Sequence, residues 1–425
     1  MSKIINFKRA LSSKNFYSFI NGHNYLSSDD ILKLKNLKNK DNKKITEKYE
    51  KNFSKIIGKG RSVSFSSGRM GFYSLMKIIN IKKDDHVMII GSTCAVMVTA
   101  ILKIGAKPIF YDIDKRTLGS CLKEIKKKIT KKTKMIVAQH SFGIPCEIDK
   151  ISSYCRMKKI FLLEDCALTF DAKFKKIKIG NFGDASLFST DHSKPVNTIT
   201  GGIIYTNKLK YFSKLKLYQK NIPIIEKEKV KKLYRHFLLE IFFQNPKKYK
   251  FLFLINFFIR FLPMYKNSFL DEDFDNFKNT SYAYPSKQHS FFSYLGILEL
   301  REWNNKIKNR KKIFNQLILL FKEKKLTSLL PKSYFDSNKE ISPLRFVWFS
   351  KNHRKKIHKL VDPDWIWFKK PIESTNLNLL KLQYKKGTCK QSEKLGKIIN
   401  NLPCNFDPKF NMCFTKDVSE FLNGN

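Results

Sequence analysis

A chain of 425 residues is long enough to bury a sizeable core and exceeds one average domain, so a large domain with a smaller companion is expected. Its hydrophobic fraction of 42%, with 14% aromatic, excludes a disordered polymer. A formal charge of +47 would ordinarily point to nucleic acid or an anionic membrane. Here the lysines run along the whole chain beside abundant Asn, Ile and Phe, the mark of an AT-rich genome rather than of a binding patch, so no nucleic-acid partner is expected. Such a diffuse field still attracts an anionic substrate. The eight cysteines form no CxxC pair and no metal-like grouping with histidine. With no signal peptide, they read as reduced thiols of a cytoplasmic protein without a metal site.

Residues 1–50, rich in Lys and Asn, read as an N-terminal arm, with a helix-start signal at Ser27-Ser28-Asp29-Asp30. Residues 62–65 read as a strand running into the turn Ser66-Ser67-Gly68-Arg69. Phe72, Leu75, Met76 and Ile79 follow at the spacing of an amphipathic helix. A strand, a glycine turn and a helix N-terminus together make an anion site from backbone N–H groups and the helix dipole. Residues 87–90 and 108–112 read as buried parallel strands, with a helix from about 97 to 104 between them. Residues 135–138 lead into Gln139-His140-Ser141-Phe142-Gly143, where His140 faces either a ligand or the core. A helix over 146–156 returns the chain to the next strand.

That strand, residues 160–163, ends abruptly in Glu164 and Asp165. Gly183-Asp184-Ala185 then opens an apolar segment ending at Ser189, Lys194 lies in the loop beyond, and Gly201-Gly202 precedes a further apolar run. Buried strands that each deliver a polar residue at their C-terminal end build the edge where open α/β sheets bind ligands. An acid, a hydroxyl and an amine brought to one place suit a cofactor needing a charged ring partner, a phosphate ligand and a covalent amine. Pyridoxal phosphate has those needs.

Glu164-Asp165-Cys166-Ala167, Gly183-Asp184-Ala185, Phe188-Ser189, Lys194 and Gly201-Gly202, in this order, resemble the signature of the DegT/DnrJ/StrS family of pyridoxal-phosphate-dependent sugar aminotransferases. The resemblance covers residues 60–206 well and 280–410 loosely. It implies an α/β architecture, fold type I of the pyridoxal-phosphate-dependent transferases, with a mostly parallel central sheet in a large domain and a small C-terminal α+β domain. The expected divisions are an arm over 1–50, a large domain over 51–280 with an apolar helical insertion near 208–280, and a small domain over 281–425. A homodimer is implied, acting on a nucleotide-linked keto sugar with an amino-acid donor, glutamate, for surface polysaccharide. Lys194 would capture the cofactor aldehyde and then carry the proton, and Asp165 would keep the ring nitrogen protonated. Ser189 and the Gly68 turn would hold the phosphate, with Cys94 on the ring face and His140 beside the cofactor.

Several positions depart from the family pattern. Arg69 stands where the family has Thr, Cys94 where it has an aromatic ring, and Leu168 where it has Gln. Pro285 takes the place of an Asn that reaches the neighbouring subunit's cofactor phosphate, with Lys287 in the following Arg position. Gly296-Ile297-Leu298-Glu299-Leu300 resembles the family's Gly-x-x-Gln-Leu helix end. These changes keep open a catalytically silent member that binds or regulates within glycan assembly. The lysine is retained, which separates the chain from the family's dehydratase branch; His192 is not in that position. The apolar run 251–262 is shorter than the ~20 residues a bilayer requires. It reads either as a helix buried in the dimer or as a peripheral membrane contact through 237–265. Residues 345–349 and 365–368 read as strands of the small domain, followed by a closing helix near 389–395 and a strand at 399–403.

Overall fold

The computed structural model describes residues 15–20, 22–243, 247–249, 251, 282–373 and 378–423. Its centre is a seven-stranded sheet. In chain order the strands are β1 (Arg61–Phe65), β2 (His86–Ile90), β3 (Lys107–Tyr111), β4 (Thr133–Gln139), β5 (Phe161–Asp165), β6 (Ala185–Ser189) and β7 (Gly202–Thr206). In space they run β1-β7-β6-β5-β4-β2-β3. Only β7 runs against its neighbours β1 and β6; the other pairs are parallel. Parallel strands are stable when both faces are covered, and so read as unbroken apolar runs. Residues 87–90 and 135–138 are such runs, and all are buried.

The covering helices include α1 (Ser28–Leu37), α2 (Lys43–Ile57), α3 (Gly68–Ile78), α4 (Ala95–Lys103), α5 (Leu122–Lys128), α6 (Ile148–Lys158), α7 (Leu209–Asn221) and α8 (Lys227–Phe243), with α9 (Ser290–Arg301) and α10 (Trp303–Glu323) beyond. The helix-start signal is used as written. Ser27 Oγ accepts from Asp30 N at 3.1 Å, and the Asp30 carboxylate accepts from Ser27 N at 3.2 Å, a reciprocal cap on α1. Tyr49, Phe53 and Ile57 of α2 are buried with Phe188, Ile203 and Tyr205 of the sheet. The helix spanning residue 50 therefore packs against the central sheet. α9 crosses α2 at Gly296, where an added Cβ would meet the Tyr49 ring at 2.3 Å.

A second core gathers Phe314, Phe346, Trp348, Leu402, Phe414 and Val418. It is built on β8 (Arg345–Phe349) paired antiparallel with β9 (Ile399–Pro403). Residues 365–368 do not form the expected strand. Asp362 caps a 3₁₀ turn at Pro363–Trp365, and Phe368 has a positive φ of 63°, so the apolar run there is carried by a turn. In the helical insertion, Phe237 of α8 is buried while Phe242 is exposed. Apart from Phe251, the run 251–262 lies outside the described residues. Among the described residues, no helix is long and apolar enough to cross a membrane.

Candidate active site

Strand pairing brings the predicted residues to one edge of the sheet. Gly68 follows β1, Ser189 ends β6, Asp165 ends β5 and Thr93–Cys94 follows β2, while Lys194 lies in the loop between β6 and β7. Asp165 pairs with Leu187 on one side and Gln139 on the other.

Adjacent residues of a strand face opposite ways, and this separates the two carboxylates that end β5. Glu164 is fully buried and structural. Its Oε1 accepts from Phe182 N (2.6 Å) and Gly183 N (2.7 Å), and its Oε2 from Gly180 N (2.8 Å). His140 joins it from the next strand end, Nε2 lying 3.3 Å from Glu164 Oε2, while His140 Nδ1 accepts from Cys146 N at 3.1 Å. Both ring nitrogens are thus engaged by the protein, so His140 does not present a nitrogen to a ligand. Glu164, His140 and Cys166 bring potential metal-ligating atoms within 4.8 Å of one another. The carboxylate's backbone bonds and the Cys146 N–H already occupy that donor set.

Asp165 is 3% exposed, and its Oδ1 accepts from Ala167 N at 2.9 Å. Burial pushes its pKa up, against the Ala167 N–H and the charges of Lys194 and His140. Its second oxygen has no hydrogen-bond donor among the described residues. Burial also depresses the pKa of Lys194; Arg345 acts the same way, while Asp191, Cys94 and Asp165 oppose it. The charges of Asp165 and Lys194 thus act on one another.

Phosphate chemistry is available at the α3 N-terminus. Ser67 caps the helix through Met70 N, whereas the Gly68 N–H and Ser189 Oγ have no partner among the described residues. A Cβ built on Gly68 would lie 3.4 Å from Ser189 Cβ, so the two are neighbours. Gly202 makes this approach possible, because a Cβ there would come within 2.3 Å of Gly68 N and Cα. An unpartnered N–H, a hydroxyl, a helix dipole, a desolvated carboxylate and a half-buried amine together fit pyridoxal phosphate.

A family model described as the DegT/DnrJ/EryC1/StrS aminotransferase family matches residues 29–232. The matched residues make up just under half of the chain. A GDP-perosamine synthase of Escherichia coli O157:H7 is 34% identical over 161 residues, covering 38% of this chain and 44% of that protein. A GDP-perosamine synthase of Vibrio cholerae is 29% identical over 164 residues, 39% and 45% of the two chains. The aligned part thus spans less than half of these curated relatives. The fold extends further. Helicobacter pylori PseC, described as an aminotransferase of pseudoaminic acid biosynthesis, superimposes with a TM-score of 0.71 at 17% identity, covering 96% of this chain and 100% of that one.

The departures from the family pattern have visible consequences. Arg69 Nη2 donates to Tyr282 OH at 2.8 Å, so its guanidinium reaches across to the segment before Pro285. That segment packs on the turn before Gly68 of the same chain: Ser66 N donates to Ser286 O (3.1 Å), and Ser66 Oγ to Lys287 O (2.6 Å). The Lys287 ammonium points elsewhere, donating to Lys220 O. Leu168 is buried in the apolar cluster under the sheet. Cys94 pairs with Glu373 across a short parallel bridge.

Sequence reasoning missed the groups that complete the site. Lys194 Nζ lies over the Trp367 ring, 4.3 Å from its centroid. Asn197, in the Lys194 loop, donates its backbone N–H to Glu299 Oε2 at 3.0 Å, and Glu299 Oε1 is held by Lys306, His23 and Tyr25. His192 joins the same buried network through Glu240 at 2.9 Å; Asp191 and Glu240 outweigh its burial and raise it to about 9. The loop also contains Ile199 at φ 67°, a strained value for a β-branched residue, held by a bond from its N–H to Asn197 Oδ1.

Burial would raise the Glu299 carboxyl, but Lys306, His23 and the Asn197 N–H outweigh it and hold the pKa down at about 2, below the ordinary 4.5. Lys306, half-buried, is itself depressed by desolvation. A depressed carboxyl stabilises the fold above its unfolded pKa and loses that contribution as pH falls through the folded one. Glu299 therefore contributes ~3 kcal/mol at neutral pH, lost between pH 4.5 and about 2. In Glu299→Gln, thermal unfolding should show that acid-dependent loss largely removed, together with a lower melting temperature at neutral pH.

Proposed function

We propose that this chain is a pyridoxal-phosphate-dependent aminotransferase that moves an amino group from glutamate to a nucleotide-linked keto sugar destined for surface polysaccharide. The observation that carries this reading is the placing of Lys194, Asp165, Ser189 and the Gly68 N–H at one sheet edge. It is supported by relatives named as GDP-perosamine synthases and by a spore coat polysaccharide biosynthesis protein of Bacillus subtilis, 29% identical over 171 residues. Action as a homodimer in the cytoplasm belongs to the same proposal.

Bound there, pyridoxal phosphate supplies an electron sink for the donor's α-carbon. Lys194, whose burial disfavours its charged form, would be the amine that holds the cofactor through its aldehyde. Once displaced, Lys194 carries one proton away from the donor's α-carbon and later delivers one to the sugar carbon. Asp165 keeps a proton on the ring nitrogen. Ser189 Oγ, the Gly68 N–H and the dipole of α3 hold the phosphate in place. The retained Lys194 favours transamination over dehydration.

The test is a panel of nucleotide-linked keto sugars incubated with cofactor and L-glutamate, with products weighed by mass spectrometry. An amino sugar from at least one member is the expected result. Cofactor bound through Lys194 with no aminated product from any member would overturn the reading.

A further inference from the structure

The inward face of α8 ends in a charge. Val230, Leu233, Tyr234 and Phe237 are buried at the spacing of one helix face. The next position of that stripe is Glu240, which is 6% exposed. An apolar side chain would continue the packing there, whereas a buried carboxylate is costly unless it is paired and hydrogen-bonded. Glu240 finds its partners in the lysine loop. Its Oε1 lies 2.9 Å from His192 Nδ1, and its Oε2 accepts from Asn197 Nδ2 at 3.2 Å.

Those two partners flank Lys194 in sequence. Backbone bonds close the base of the loop, Thr190 N to Gly201 O (2.9 Å) and Thr198 N to Thr190 O (2.8 Å). Above that base the arc 191–197 carries Lys194, whose own N–H donates to Asp191 O at 2.9 Å. The His192 ring also packs on Trp365, with 5.5 Å between centroids, and Lys194 Nζ lies over Trp367 two residues on. A single carboxylate outside the sheet therefore ties both shoulders of the arc to α8.

We propose that Glu240 is a positioning residue for Lys194: by holding His192 and Asn197 together, it fixes the arc from which the amine reaches the cofactor. The assignment rests on the aminotransferase reading, which makes Lys194 the capturing amine. Bonds at the base set where the arc begins and ends, but each residue above them keeps conformational freedom until a side chain removes it. A misplacement of about 1 Å, caused far from the chemistry, can cost about 10²-fold in rate. Glu240 acts on that distance through its two partners and needs no contact with the cofactor itself. The helix that carries it belongs to the apolar insertion, so this reading makes the insertion part of the catalytic apparatus.

The test uses the full chain without cofactor, as wild type, Glu240→Ala and Glu240→Gln, with two probes. Pyridoxine 5′-phosphate carries the ring and phosphate but an alcohol in place of the aldehyde, so its affinity reports the pocket without the amine. Pyridoxal phosphate, at saturation, reports capture by Lys194 through growth of the visible band. Glu240→Ala should slow band growth about tenfold or more while leaving pyridoxine phosphate affinity within about twofold. Glu240→Gln keeps an oxygen for one partner only, so its band growth should fall between. In turnover kcat should drop in the same order, with both KM values within about twofold. If Glu240→Ala does not fold, Glu240→Gln decides alone: band growth slowed about threefold or more at unchanged pyridoxine phosphate affinity supports the staple, and unchanged growth overturns it. Wild-type band growth in a folded Glu240→Ala overturns it too. So does an equal loss of both probes, which would make Glu240 a packing residue of the domain. A wild type that binds pyridoxine phosphate or not but forms no band with pyridoxal phosphate would instead sink the aminotransferase reading on which the assignment rests.

Discussion

Lys194→Ala should produce a protein that folds, binds pyridoxal phosphate weakly and turns over no substrate. Adding the cofactor to the wild type should give a visible absorption band that the variant lacks, because the amine that captures the aldehyde is gone. Positioned proton transfer alone is worth about 10²–10⁴ in rate, and covalent capture adds to that, so activity should fall below detection. The fold should tolerate the change. Lys194 is an amine whose charge burial disfavours, and its loop is held by other bonds: Thr198 N to Thr190 O (2.8 Å), Asn197 N to Glu299, and Thr200 Oγ1 to Ser66 O (2.7 Å). A circular dichroism spectrum and melting temperature close to wild type, with the band lost, distinguishes a chemical role from a structural one. A band that survives the substitution would mean that another amine captures the aldehyde, and would overturn the role of Lys194.

The central sheet was legible because buried parallel strands leave unbroken apolar runs, and their ends carried Asp165, Ser189 and the Gly68 turn. The same kind of run misled at residues 365–368. Trp365-Ile366-Trp367-Phe368 is unbroken and apolar like a buried strand, but Asp362-Pro363 starts a 3₁₀ turn and the peptide at Phe368 adopts positive φ. That turn is what brings Trp367 under Lys194. Glu240 was hidden for another reason. Within an amphipathic helix nothing local marks it, and its meaning comes from His192 and Asn197, both distant in sequence. His140 was ambiguous between ligand and core, and only the pairing of β4 with β5 sets its ring against Glu164. Glu299 was recognised as part of a helix-end pattern, but its hold on Asn197 depends on the chain returning across the sheet. Charges that act through long-range partners leave little trace in a local sequence window.

Asp165→Asn should separate catalysis from stability, with opposite signs. Burial raises the Asp165 carboxyl in the protein without ligand, so its ionised form is disfavoured there. A carboxyl raised on folding costs stability once the pH exceeds its unfolded value, and that cost grows until the folded pKa is passed. Replacing it with a neutral amide removes the cost, and Asn Oδ1 can still accept from Ala167 N. The cofactor-free variant should therefore melt at or above the wild-type temperature at neutral pH and lose less stability as pH rises through the carboxylate range. Turnover should move the other way. An ionised Asp165 holds a proton on the ring nitrogen, and an amide cannot, so a preorganised charge contact worth ~3–4 kcal/mol disappears and kcat falls by about 10²–10³. The expected pair of measurements is a raised or unchanged melting temperature without cofactor and a kcat loss of that size with it. A variant that is both less stable and only slightly slower would mean that Asp165 is a strand-end cap. One that is more stable and fully active would mean that the ring nitrogen is held by another group.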